Sequence, residues 1–143
     1  MTYNQVVEEI KTTLENHPMI HEVLFASPLQ WLNQNHVPDY PVSCFTINSG
    51  QLNAGREEVF AIEIWFLDKS GQEQEFEQEV TSDMHTIAYD ILSKFRQQFN
   101  PYSIDANVNW EAISEKFEDY LSGVKVTFNF FTNRKYGACE VPE

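Results

Sequence analysis

Residues 57–68 read EEVFAIEIWFLD, and the alternation inside them decides the fold. Phe60, Ile62, Ile64 and Phe66 recur at every second position, as the core-facing residues of a strand must, because successive side chains point to opposite sides. Val59, Ala61, Glu63, Trp65 and Leu67 make the other face. That face is too apolar for plain solvent exposure, and Glu63 keeps it from being plain core. Upstream, VSCFTIN (42–48) reads as a second strand. The segment between, SGQLNAGR (49–56), carries Gly50, Asn53 and Gly55 and suits a hairpin turn with a bulge. Far downstream, Val124, Val126, Phe128 and Phe130 alternate with Lys125, Thr127 and Asn129 and predict the last strand.

Helical periods flank these strands. Tyr3, Val6, Val7, Ile10 and Leu14 recur at helical spacing, with Thr2 placed to cap the start and Pro18 to stop what precedes it, so a first helix is predicted over 3–16. A second and longer one is predicted over 72–99, on the stripe Phe76, Val80, Met84, Ile87, Ala88, Ile91, Leu92, Phe95 and Phe99. Glu73, Glu75, Glu77 and Glu79 near its start and Lys94 and Arg96 near its end suit the helix dipole, and Asn100-Pro101 ends it. HEVLFA (21–26) is a short strand. The stretch 27–41, with three prolines and the aromatics Trp31 and Tyr40, reads as a long connection, and connections of that length are often functional. SIDANVNWEAI (103–113) reads as one strand. The following SEKFEDYLSG fits either a strand and turn, which we prefer, or a helix on Trp110, Ile113, Phe117 and Leu121 capped by Gly123. The expected fold is α+β. It has an antiparallel or mixed sheet of four to five strands with two helices on one face, in the order α-β-β-β-α-β-β. Residues 1–133 form a single domain and 134–143 a C-terminal tail.

Charge and composition exclude several function classes. A length of 143 residues fits one domain, and 42% hydrophobic residues argue against disorder. Nine Lys and Arg against 22 Asp and Glu give a net charge of −13, which repels nucleic acid rather than binding it. The opening MTYNQVVEEIKTTLEN has neither a basic flank nor an apolar block, and no stretch approaches the length of a membrane span. Cys44 and Cys139, far apart in sequence, form no disulfide framework and no metal motif. The expectation is a soluble intracellular product with reduced thiols.

Motifs of catalysis are missing. His17 and His21 have the i,i+4 spacing of a helical metal pair, but Pro18 between them breaks the helix such a pair needs, so both read as surface or loop residues. His85, near Asp83 and Asp90, reads as part of a solvated polar face, as does the acidic run EQEFEQEVTSD (73–83). Cys44 reads as a buried small hydrophobe. Cys139, beside Glu140, sits in an acidic setting that disfavours a thiolate. No catalytic residue, metal ligand or cofactor is expected. What stands out is the placing of aromatics, with Trp31, Tyr40, Tyr102 and Tyr136 in suspected loops and Val59, Trp65 and Leu67 on the outer face of a strand. They either form an interface or pin loops to the domain's own core.

The C-terminal half carries a resemblance. A long amphipathic helix is followed by a strand, by FEDYLSGVKVTFNF (117–130), and by a short tail containing CEVP (139–142). This resembles the tail-terminator and tail-completion (neck ring) proteins of tailed bacteriophages and prophages. In those proteins a D-x-L-x-G turn leads into the last strand, and Asp119, Leu121 and Gly123 stand at these places here. The early order of helix, long loop, hairpin and second helix is similar too, while the aromatic usual after the turn glycine is replaced by Val124. The resemblance implies a non-enzymatic virion protein, assembled in the bacterial host cytoplasm. It would form a homo-oligomeric ring at the head–tail junction or tail end, and contact neighbouring neck or tail proteins. DNA would pass without specific binding through a lumen kept acidic, for which Glu73, Glu77, Glu115 and Glu118 are candidates. The candidate subunit interface is Trp31, Tyr40, Trp65, Arg134, Lys135 and Tyr136, the last three on a tail that would reach an adjacent subunit. The alternative is a small-molecule- or peptide-binding α+β domain, with 27–41 and Trp31 as a pocket wall.

Overall fold

The computed structural model describes residues 1–33, 38–70, 74–114 and 121–133. Helix α1 (Tyr3–Glu15) starts from a capping box, in which the Thr2 hydroxyl accepts from the Gln5 backbone N–H and the Gln5 side chain accepts from the Thr2 N–H. It buries Val6, Ile10 and Leu14. The chain continues through β1 (Glu22–Leu24), α2 (Pro28–Asn33), β2 (Val42–Leu52), a single 3-10 turn (Ala54–Arg56) and β3 (Glu57–Lys69). Then come α3 (Gln74–Phe95), β4 (Tyr102–Ile104), β5 (Asn109–Ser114) and β6 (Leu121–Asn133). The six strands form one open mixed sheet in the order β1-β2-β3-β6-β4, with β5 also paired to β6. Only β1 and β2 are parallel; the other pairings are antiparallel. The α+β class and the helices on one face are as the periodicities predict.

The main core lies between that face and the helices. It joins Val6, Ile10 and Leu14 of α1 and Met84, Ile87, Ala88, Ile91 and Phe95 of α3 to Phe45, Phe60, Ile62, Ile64, Phe66, Val124, Val126, Phe128 and Phe130 of the strands. Tyr102 fastens β4 to α1 by donating its hydroxyl to the Glu9 carboxylate at 3.0 Å. Burial, and then the charge of Glu9, hold that phenol protonated far above its ordinary range. Ile91 is fully buried in this core. Ile91→Ala should therefore cost roughly 2–5 kcal/mol in urea unfolding, and a loss under about 1 kcal/mol would contradict the packing.

Five local expectations need correction. The connection 27–41 is not bare loop, because it contains α2. The Gln30 side chain accepts from the Ser27 N–H, the Ser27 carbonyl accepts from the Gln30 N–H, and Pro28 opens the helix. The long helix stops at Phe95 rather than 99. The Asn100 side-chain amide donates to the Lys94 and Phe95 carbonyls at 3.0 and 3.1 Å and closes the helix end, leaving Phe99 98% exposed. Phe76, in the opening turn, is half exposed as well. The single strand 103–113 is two strands on the same edge of β6. Between them the Asp105 carboxylate accepts the Asn129 N–H at 2.8 Å in place of a ladder bond, and the Arg96 guanidinium donates to the Ala106 carbonyl. The last strand begins at Leu121, so Leu121 and Gly123 belong to β6 and not to a turn before it. In the hairpin, the bulge falls in β2 between Ile47 and Ser49, and Gly55 takes the left-handed φ of 81° in the turn.

The opposite face of the sheet has a second, smaller cluster. Val42, Cys44, Leu67, Ile113 and Leu121 are buried there, with Leu24, Ala26, Tyr40 and Trp65 packed on them. Ile113 thus lies on a strand, as preferred, while residues 115–120 lie outside the described residues. Glu63 is tolerated on this face because Lys125 reaches it diagonally across the β3–β6 pairing, at 3.4 Å, with both side chains about three-quarters covered.

Candidate interaction surface

The aromatic residues singled out from the sequence separate into groups. Tyr40 and Trp65 are brought together on the face opposite the main helices, where both pack on the second cluster. Lys69 stands 5.3 Å from the Tyr40 ring centre and Lys125 stands 5.5 Å from that of Trp65, so two of the scarce cations lie over aromatic rings. Leu67, read from the sequence as an outer-face residue open to an interface, is fully buried in that cluster and is not available to a partner. Val59 and Trp65 stay partly exposed. The backbone of Trp31 lies in α2, and its side chain lies outside the described residues. Arg134, Lys135, Tyr136, Asp119, Glu73, Glu115 and Glu118 also lie outside them. Tyr102, suspected of lying in a loop, is buried in β4 and stacks on Phe130.

Gly123 has a role its place in a motif did not reveal. It sits opposite Leu67 in the β3–β6 pairing, and a Cβ there would collide with the Phe66 carbonyl. The glycine is required by backbone approach within the sheet.

The three described histidines each meet a partner. His17 is not a surface residue but is 7% exposed. Its Nδ1 accepts the Met19 N–H at 3.1 Å, so the neutral ring carries its proton on Nε2, which lies 3.0 Å from an Asp90 carboxylate oxygen. With both nitrogens engaged, the ring ties the end of α1 to α3 and has no free nitrogen for a substrate. His21 faces Asp39 at 3.8 Å, both largely exposed. Among the described residues no group of three or more His, Cys, Asp or Glu is placed to hold a metal ion.

Asp68, near the end of β3, has its folded-state pKa raised above the ordinary value of 3.8. Burial is the largest cause. The Lys69 N–H, His21 and the Lys69 charge oppose it, and Asp83 adds to it. A carboxyl with a raised folded pKa weakens the fold above that pKa, and the penalty vanishes below its unfolded pKa. Asp68→Asn keeps the oxygen that accepts the Lys69 N–H. It should raise the melting temperature at neutral pH, with the gain fading as pH falls through the carboxylate range. An unchanged difference across that pH series would refute the burial effect.

Sequence reasoning missed the site around Trp110. This residue points to the helix side of the sheet, stands edge-on to His85 with ring centres 4.9 Å apart, and is still 56% exposed. It lines an open cleft of about 560 Å³ together with Glu77, Gln78, Thr81, Ser82 and His85. A second cleft of about 350 Å³ lies beside Tyr3 and the outer half of β2, ending at Leu52, which is 78% exposed. The signal for the first was a Trp in the core-facing phase of 103–113, flanked by Asn109 and Glu111 rather than by apolar neighbours.

No protein-family model matches the chain, and no curated protein matches it. No helix among the described residues is long and apolar enough to cross a membrane.

Proposed function

We propose that the chain is a non-enzymatic structural protein of a tailed bacteriophage virion, forming a homo-oligomeric ring at the head–tail junction or tail end. The observation that carries this reading is a sheet apolar on both faces but roofed by its long helices on one only. Beyond the second cluster, that other face bears the partly exposed Val59, Ala61 and Phe131 beside Thr127 and Asn129. A lone protomer gains nothing from such a surface, whereas a subunit uses it. The resemblance through Asp119, Leu121, Gly123 and the CEVP tail supplies the kind of assembly. The net charge of −13 suits a bore through which DNA slides without adhering. Of the four acids suggested for that bore, Glu77 accepts a hydrogen bond from Ser114 and helps fix α3 to β5.

Sedimentation and negative-stain microscopy over a concentration series test the reading. Rings of defined size, and no retardation of duplex DNA at physiological salt, are expected. A strict monomer at the highest soluble concentration, absent from purified virions, would overturn it. A monomer that instead gains thermal stability with a small ligand would favour a binding domain.

A further inference from the structure

Among the described residues the two lateral edges of the sheet are both open, and they differ. On one side β1 covers only Val42–Cys44 of β2, so among the described residues 46–52 have no strand beyond them. On the other side β5 has β6 as its sole strand partner among the described residues, and all of β5 except Ile113 is exposed. Open edges present backbone N–H and C=O groups that seek another strand. The exposed segments match in length, seven residues against six.

Charge separates the edges. From Val42 to Arg56 the chain has no Asp or Glu, a notable gap in a molecule with 22 of them, and its one formally charged residue is Arg56. The β5 edge carries Glu111 and lies next to Glu77 of α3. Pairing two β5 edges would set acids against acids, whereas pairing β5 with the acid-free β2 edge avoids this and gives an unlike, head-to-tail contact. Head-to-tail contacts generate rings when the rotation between neighbours closes.

Strand direction agrees. β3 runs antiparallel to β2, β6 to β3 and β5 to β6, so β5 and the β2 of a following copy in the same orientation meet antiparallel. Across one sheet Thr46 lies level with Asn109, through Glu63 and Thr127. Pairing Trp110, level with Ile64, against Gly50, level with Phe60, thus needs a slide of four residues, roughly 13 Å along the strands. The repeat is four strands wide, β2, β3, β6 and β5. At ~4.8 Å spacing it spans roughly 19 Å. The resulting strand tilt of about 35° lies at the lower end of the range of sheets closed on themselves.

We propose that copies of this chain join head to tail, the β5 edge of one pairing antiparallel with residues 46–52 of the next, so that the sheet continues from subunit to subunit. This rests on the ring reading above and names its contact. In the centred register Trp110 meets Gly50, which has no side chain to obstruct it, and Glu111 meets Ser49 on the opposite face.

Ser49→Cys and Glu111→Cys, each made in the full chain in a Cys139→Ser background, test the contact with a short bis-maleimide. Mixing the two variants should give a covalent dimer that neither gives alone. The doubly substituted chain should give a ladder ending at the ring size. Cross-linking within either single variant would overturn the unlike pairing. Oligomers by sedimentation with no cross-link in the mixture would overturn this contact and leave the ring reading standing. Monomers throughout would overturn both.

Discussion

Phe95→Ala is expected to remove about 3–5 kcal/mol of stability, among the largest losses available from one truncation in this chain. Phe95 is fully buried in the last turn of α3. Its ring meets Tyr102, Phe128 and Phe130 at centre distances of 6.2, 5.8 and 6.3 Å. These partners come from β4 and β6, so one side chain joins the helix to the strands on one flank of the sheet. Truncation forfeits the burial and leaves a void among rigid rings that collapse poorly. The edge-to-face contacts with Tyr102 and Phe130 are lost with it. For a domain whose whole stability is about 5–15 kcal/mol, this approaches global unfolding. Urea denaturation followed by tryptophan fluorescence measures it, through a lower midpoint at unchanged slope. A loss near that of an exposed substitution would mean that α3 does not seat on the sheet as described.

Gly123→Ala should be nearly as damaging, for a different reason. The added methyl meets the carbonyl of Phe66, which is backbone and cannot rotate away as a side chain would. Relief requires β6 to move off β3 near Leu67, where both face the second cluster with Leu121. We expect a cost of about 3 kcal/mol or more, at the upper end of overpacking effects, because the displaced pairing is central. Far-ultraviolet circular dichroism and urea unfolding of the variant decide the matter. A melting curve like that of the parent would show that the strands can separate locally at little cost.

The parts of the fold legible in the sequence are those whose determinants are local. Phe60, Ile62, Ile64 and Phe66 alternate without interruption, and Val6, Ile10 and Leu14 keep a clean helical phase, so β3 and α1 follow from pattern alone. Helix α2 was equally local, since Ser27, Pro28 and Gln30 are the start signature of a helix, but the prolines around it read as loop. The split of β4 from β5 could not be read this way. It depends on Asp105 reaching the backbone of Asn129, a partner 24 residues away. His17 reads as a loop residue until the fold brings Asp90 beside it, 73 positions on. Of the candidate surface, the pairing of Tyr40 with Trp65 was anticipated only as two members of one list. Trp110 was overlooked because its exposure goes with β5 having no outer strand among the described residues.

The strand that comes latest among those described lies in the interior of the sheet. β6 separates β3 from β4 and β5, and among the described residues neither β4 nor β5 pairs with any other strand. During synthesis, then, β3 emerges with an unfilled edge, and β4 and β5 emerge with nothing to pair with, until residues 121–133 are available. Such non-local closure carries a loop entropy that must be met before any pairing rewards it, which makes folding slow compared with a helical domain of this length. Until then the apolar faces of α3 and β3 lie open to neighbouring chains, the condition under which nascent sheets aggregate. A ribosome-bound chain cut short before residue 121 should therefore remain sensitive to protease along its length, and resistance should arrive in one step once β6 clears the exit tunnel.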